Sequence, residues 1–425
     1  MANSASGIQV ARSMHVPRTD GHTSQVAGVG YVSVGSNTLL ESLRTAGGGV
    51  VRRSEDNGRT WREVERWDGG GAIGEDLVFN RDLPELFLDS DSGTVLRVFN
   101  TSHVRPSVIP WDYAVSPGPR TQRFCTQLSH DEGRTWTPPA PFVQSGNEYD
   151  DRHWMHGVWF GKNGAAIEGS QMVKTREGLV LTPWWGARLF GDDILNPAID
   201  PGCSNPDGNV EWVTGCLLGR WHADGMGIFW ACSSLITLPR KYSCDGADEG
   251  SCDYLPDGRL LMVLRARTYP HTGQEAPSLH YYTLSDDEGW TWSECRPLLY
   301  DDGSWAYSPA CLANVFRSKK NGRFYLITNL AEGPCINCDP RTRCQIAEID
   351  TDTMAIRKDT VTVIDRQPDE LGETPCTRFS NFRWFEDRET LDIVLYMTPG
   401  GTGMGPAPDC EILGNAYRYD ISLPE

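Results

Sequence analysis

What this chain has least of is helix. Apolar residues at the i, i+3, i+4 spacing of an amphipathic helix are scarce along its 425 residues. Short apolar or alternating runs broken by Gly, Pro, Asp and Asn recur instead, which is the pattern of an all-β protein. No run approaches the ~18–20 apolar residues that a membrane helix needs. The stretch from Met1 to Gly21 has no apolar core of a secretory signal. The expectation is a cytoplasmic protein with no membrane partner. Positive charge is also short: 39 Lys and Arg face 57 Asp and Glu, a formal net charge of −18. A field of that sign disfavours nucleic acid and anionic membranes, yet it leaves room for an anionic ligand held by a local arginine cluster.

Cysteine is not scarce, but its number is odd, with 13 residues. An odd count without a signal segment points to reduced thiols rather than a disulfide scaffold. Cys335, Cys338 and Cys344 have the look of a metal loop, but no second C-x-x-C and no His pair lies nearby. Neither a metal nor another cofactor is expected. Cys244 and Cys252 bracket a short acidic loop and would pair only in an oxidising compartment.

What is present is repetition. Ser54, Asp56, Gly58, Thr60 and Trp61 recur in the same spacing as Ser129, Asp131, Gly133, Thr135 and Trp136, and again as Ser285, Asp287, Gly289, Thr291 and Trp292. Each copy reads S-x-D-x-G-x-T-W, the pattern called the Asp box. The Asp carboxylate can accept backbone N–H bonds in a tight turn, and Gly tolerates positive φ. The segment from Trp221 to Trp230, with Asp224 and Gly225, looks like a degenerate fourth copy. Around these turns run six hairpins of one grammar, strand then Gly-containing turn then apolar strand, each followed by an outer hairpin. Six repeats of four strands predict a single six-bladed β-propeller over residues 1–425, with residues 1–20 as an extension that packs on the last blade.

A propeller brings the starts of its inner strands together around one axis. Those starts read His22, Arg81, Glu168, Glu249, Tyr307 and Arg378, with Arg265 and Arg267 ending the neighbouring strand of the fourth blade. Guanidinium groups suit bidentate recognition of a carboxylate, and a glutamate beside a phenol suits proton transfer or covalent chemistry. The run Glu148 to His156 is the densest polar-aromatic segment. Its Trp154 is a candidate platform for a sugar ring, and its Asp151 and His156 are candidate proton carriers.

The Asp boxes and the blade grammar resemble the sialidase (neuraminidase) superfamily over nearly the whole chain. The segment Asp248 to Arg265 is similar to the sialidase stretch that supplies the glutamate partner of the nucleophile and the second arginine of a carboxylate-binding triad. The resemblance assigns those roles to Glu249 and Arg265, and the third arginine to Arg343, with Arg341 as second choice. Three positions depart from it. Asp20, Gly21 and His22 stand where the first arginine belongs, the loop Arg44 to Gly49 has no acid, and Phe379 replaces the nucleophilic tyrosine. Tyr307 and His22 are the candidates to replace the lost groups. The resemblance implies a glycoside hydrolase that removes a terminal acidic sugar from an anionic oligosaccharide or polysaccharide. Two alternatives remain open: a polysaccharide lyase acting on uronate-containing glycans by β-elimination, and a non-catalytic glycan-binding propeller.

Overall fold

A computed structural model describes residues 7–19, 22–45, 48–75, 77–104, 120–159, 164–167, 171–187, 189–190, 198–199, 212–239, 241–244, 246–268, 275–372, 374–401 and 410–425. Antiparallel sheets form the six blades of a β-propeller around a central channel. The first blade is a plain meander of Gln25–Tyr31, Leu39–Thr45, Gly48–Ser54 and Arg62–Trp67. The fourth repeats it with Asp248–Tyr254, Leu260–Arg265, Tyr281–Ser285 and Arg296–Pro297. The inner strands of blades two, three, five and six are Glu85–Leu88, the pair Ala165–Ala166 and Val173–Lys174, Asn314–Arg317 and Arg383–Glu386.

Closure uses both ends of the chain. In the last blade Gln9–Val16 pairs with Ala416–Ser422, from Gln9 opposite Ser422 to Val16 opposite Ala416, and forms the outermost strand. The N-terminal segment is therefore an integral strand. His15 on that strand reaches Glu41 of the first blade at 2.8 Å, and Glu41 is fully buried and also bound by Arg52.

Six apolar clusters each fill the space between two successive blades among the described residues. This explains why the second strand of the fourth blade, Leu260–Arg265, reads as an unbroken apolar run ending in one arginine. Both of its faces are covered, and every residue in it is buried. A strand with one wet face would alternate.

The three repeated turns are alike. Ser54 Oγ donates to Asp56 at 2.8 Å and accepts from the Gly58 N–H at 2.8 Å, while Thr60 donates to Asp56 from its backbone at 2.8 Å and from its hydroxyl at 2.6 Å. The residue after each Asp also takes a left-handed conformation, with φ of 61° at Asn57, Glu132 and Glu288. Two successive positive-φ positions reverse the chain tightly, and the second is always glycine. At Gly133 a Cβ would also lie 2.6 Å from Leu40 Cδ1, so a side chain there would force Leu40 of the first blade to shift. The Trp221–Trp230 segment occupies the same place in blade three, with the His222 N–H bonded to Gly227 O at 2.9 Å.

Candidate active site at the channel mouth

The inner strands begin at one end of the channel. Ala27, Glu85, Ala166 and Arg383, all near strand starts, line a cavity of about 300 Å³ there. Residues near the strand ends, such as Tyr31, Leu88, Asp253 and Glu386, line a second cavity of about 410 Å³ at the other end. Side chains plug the channel between them. Arg383 donates to Ala27 O at 2.7 Å and lies 3.4 Å from Glu85, and Gln171 of the third blade donates across the axis to Trp384 O at 2.9 Å. The mouth also carries Arg44, Asp82, Asn100 and Trp185.

Glu249 and Arg265 stand at this end in blade four. Asp248 pairs with Arg265, but the next pair is Ser251 with Val263, so a bulge inserts an extra residue. Glu249 sits on the bulge in a left-handed conformation, φ 47°. A bulge of this kind re-aims a side chain, and here it puts the Glu249 carboxylate on Arg265 Nη1. Arg265 Nε lies 3.5 Å from Asp248. Trp185 meets Trp212 edge-on at 5.0 Å, and the Ala247 N–H bonds to Trp212 O at 3.0 Å, which ties the mouth wall to the strand carrying Glu249.

A second guanidinium comes from blade six. Arg378 grips Asp339 with Nε at 3.0 Å and Nη2 at 2.6 Å, and that bidentate bond raises its pKa further despite burial. The half-buried Cys338 thiol lies 3.7 Å from Arg265 Nη2 and donates to Asn337 Oδ1 at 3.1 Å. The loop that joins these groups is Cys335 to Asp339, and its Asn337 N–H bonds to Thr268 O at 3.0 Å. Among the described residues no three His, Cys, Asp or Glu side chains gather as metal ligands.

Several expected site residues lie elsewhere. Trp154 is 3 % exposed in the core between blades two and three, capped by the Arg123 guanidinium at 4.8 Å, so it offers no ring to a sugar. Asp151 is an exposed partner of Arg123 at 3.3 Å, and His156 is exposed with its N–H on Gln144. Their segment packs on the outer strands of blade two and does not cover the mouth. Arg343 is half-buried and paired with the exposed Glu332 at 2.9 Å, because it opens the third strand of its blade rather than the first. Arg341 is buried and bonded to Ala310 O. Arg81 ends an additional strand, Leu77–Arg81, paired with Val95–Val104, and its guanidinium stacks on Trp67 and Phe99 at 5.5 and 5.6 Å. The true inner strand begins at Glu85, four residues later.

His22 is exposed in the loop before the first inner strand. Tyr307 is half-buried, seven residues before its inner strand, and its carbonyl takes the Ala331 N–H at 2.8 Å. Arg267 is half-buried beside Ser243, whose Oγ takes its N–H at 3.1 Å. Phe379 is fully buried. Glu168 lies outside the described residues. Asp82, Glu85, Trp185 and Arg383 were missed by the sequence reasoning. The pair Asp82 and Glu85 around Pro84, just ahead of Leu-Phe-Leu, was the available signal for two of them.

No family model matches the chain, and no curated protein matches it either. Solved structures do. A protein of unknown function from Dyadobacter fermentans aligns at 15% identity over 98% of this chain and 99% of its own, with a TM-score of 0.58. The NanB sialidase from Streptococcus pneumoniae aligns at 12% identity over 96% of this chain and 70% of its own, TM-score 0.56. The GH93 α-L-arabinofuranosidase of Fusarium graminearum aligns at 14% identity over 97% of both chains, TM-score 0.53. The fold is thus the sialidase-like six-bladed propeller, a scaffold shared by glycoside hydrolases of differing specificity.

Proposed function

We propose that this protein is a glycoside hydrolase that releases a terminal sugar from a glycan, with Glu249 as its catalytic carboxylate. One observation carries the reading. Among the described residues, Glu249 combines an inner-strand start at the mouth, a left-handed backbone on a bulge and a buried guanidinium partner. A carboxylate fixed in this way suits glycosidic chemistry, which uses two such groups flanking the scissile bond. Asp82 at the mouth is the proposed second carboxylate.

The state of the arginines bears on the sugar. Arg265, Arg378 and Arg383 are each paired with an internal carboxylate, Glu249, Asp339 and Glu85. A sugar carboxylate would have to displace one of these or bind Arg44 at the rim of the mouth, whereas a neutral sugar needs no exchange, and this favours a neutral sugar. The acidic-sugar reading keeps one support, the Arg44 guanidinium at the mouth, which has no carboxylate partner among the described residues.

A panel of aryl glycosides tests this directly. We expect release from a neutral substrate such as an aryl α-L-arabinofuranoside and not from an aryl α-sialoside. Release from the sialoside alone would restore the acidic reading. An ultraviolet-absorbing unsaturated product from a uronate polymer, with no aryl glycoside cleaved, would establish the lyase. Retardation by glycans without either product would leave a binding propeller.

A further inference from the structure

The three repeated turns differ in one respect. Trp61 Nε1 donates to Gly58 O and Trp292 Nε1 to Gly289 O, each at 3.1 Å. Trp136 makes no such bond to Gly133, although that glycine has the same positive φ, 77° against 76° at Gly58. The Trp136 ring is held instead by the Arg97 guanidinium at 4.1 Å, and Arg97 is itself fixed by Glu65 at 2.8 Å and Gln127 at 2.9 Å. The indole is therefore rigid, half-buried, and without a hydrogen-bond acceptor for its N–H among the described residues.

That ring lines a groove of about 570 Å³ between blade one and the turn of blade two. Charged side chains of both signs complete the lining: Arg53, Arg62 and Arg134 with Glu63 and Glu65. Arg53 is 4 % exposed, and its Nη2 makes no hydrogen bond, lying 3.6 Å from Glu132. The groove stands toward the end of the channel opposite the mouth, because Gly48–Ser54 starts beside Arg44 at the mouth and ends at the turn.

We propose that this groove is an ancillary saccharide site that holds a chain segment of the glycan away from the mouth. A fixed indole gives a sugar ring an apolar face to stack on at little cost in entropy. Alternating guanidinium and carboxylate groups supply donors and acceptors for adjacent hydroxyls, and guanidinium forks do so in fixed geometry. Three cations nearly balanced by two anions suit neutral sugars better than a polyanion. The inference rests on the proposed function only for the class of ligand.

Affinity electrophoresis in gels containing linear arabinan, polysialic acid or polygalacturonate tests it, with wild type, W136A, R62A/E63A and E249Q. Arg62 and Glu63 are 65% and 44% exposed, so the double variant folds even if W136A does not. We expect arabinan to retard wild type and E249Q equally, and the apparent affinity to fall about tenfold in both groove variants. Wild-type migration unaffected by every polymer would overturn the proposal. So would groove variants retarded like wild type, or retardation lost only in E249Q. Loss in the groove variants while no aryl glycoside is cleaved would keep the groove and remove the hydrolase reading instead.

Discussion

Replacing Arg265 by alanine removes a buried guanidinium from beside two buried carboxylates, Glu249 and Asp248. Arg265, Glu249 and Asp248 are each 8 % exposed. Removing one partner of a buried ion pair costs about 3–5 kcal/mol, mostly because the other charge stays buried without compensation. At ~2.1 cal/mol/K per residue the unfolding entropy of a chain this long is ~0.9 kcal/mol/K, so the melting temperature should fall by about 3–6 °C. Adding E249Q to R265A should recover part of the loss. A gap under about 1 °C by calorimetry, or no recovery in the double variant, would refute the reasoning.

The repeated turns should be acid-labile. The hydroxyl and backbone bonds from Thr60 hold the Asp56 pKa down to about 2, against an ordinary 3.8. Their contribution is full above the ordinary value and fades as pH falls through about 2, so D56N should flatten the acid limb of the unfolding curve. G133A should be more destabilising than G225A: both glycines have positive φ, 77° and 70°, but only at Gly133 does a Cβ meet a neighbour, Leu40 at 2.6 Å. Melting temperatures of the two variants decide this. Thiol alkylation should follow exposure rather than acidity. Burial pushes the Cys311 thiol up, but the His280 imidazole and Arg341 outweigh it and bring it down to about 6, yet Cys311 is fully buried and should stay unlabelled in the native protein while half-buried Cys338 reacts. Mass mapping after iodoacetamide reads out both.

The architecture was legible because its signal is repeated. Three eight-residue turns and a regular alternation of apolar runs are local patterns, and each recurs in a known place in a blade. The strand pairing Gln9–Val16 was half visible, since only a partner contributed by the other end of the chain makes a strand of that segment. The mouth was less legible, for a geometric reason. Entry loops into the inner strands vary in length, so the residue that faces the axis slips. Arg81 and Arg378 were read as strand starts, but Glu85 and Arg383 occupy them. Glu249 escaped this error because Asp248 and the bulge fix its register against Arg265. Trp154 misled for a different reason. An indole among charges reads as a surface platform, yet Arg123 caps it and the ring belongs to the core between blades.

The account's central claim is that Glu249 does chemistry at the mouth. The most direct measurement is kcat of wild type and E249Q on whichever aryl glycoside the panel selects. E249Q can keep a hydrogen bond to Arg265, which still has Asp248 at 3.5 Å, so the variant should fold, with a melting temperature no lower than that of R265A. The account predicts a fall in kcat of at least about a thousandfold with the fold intact. A well-folded E249Q that turns over substrate at the wild-type rate would contradict it.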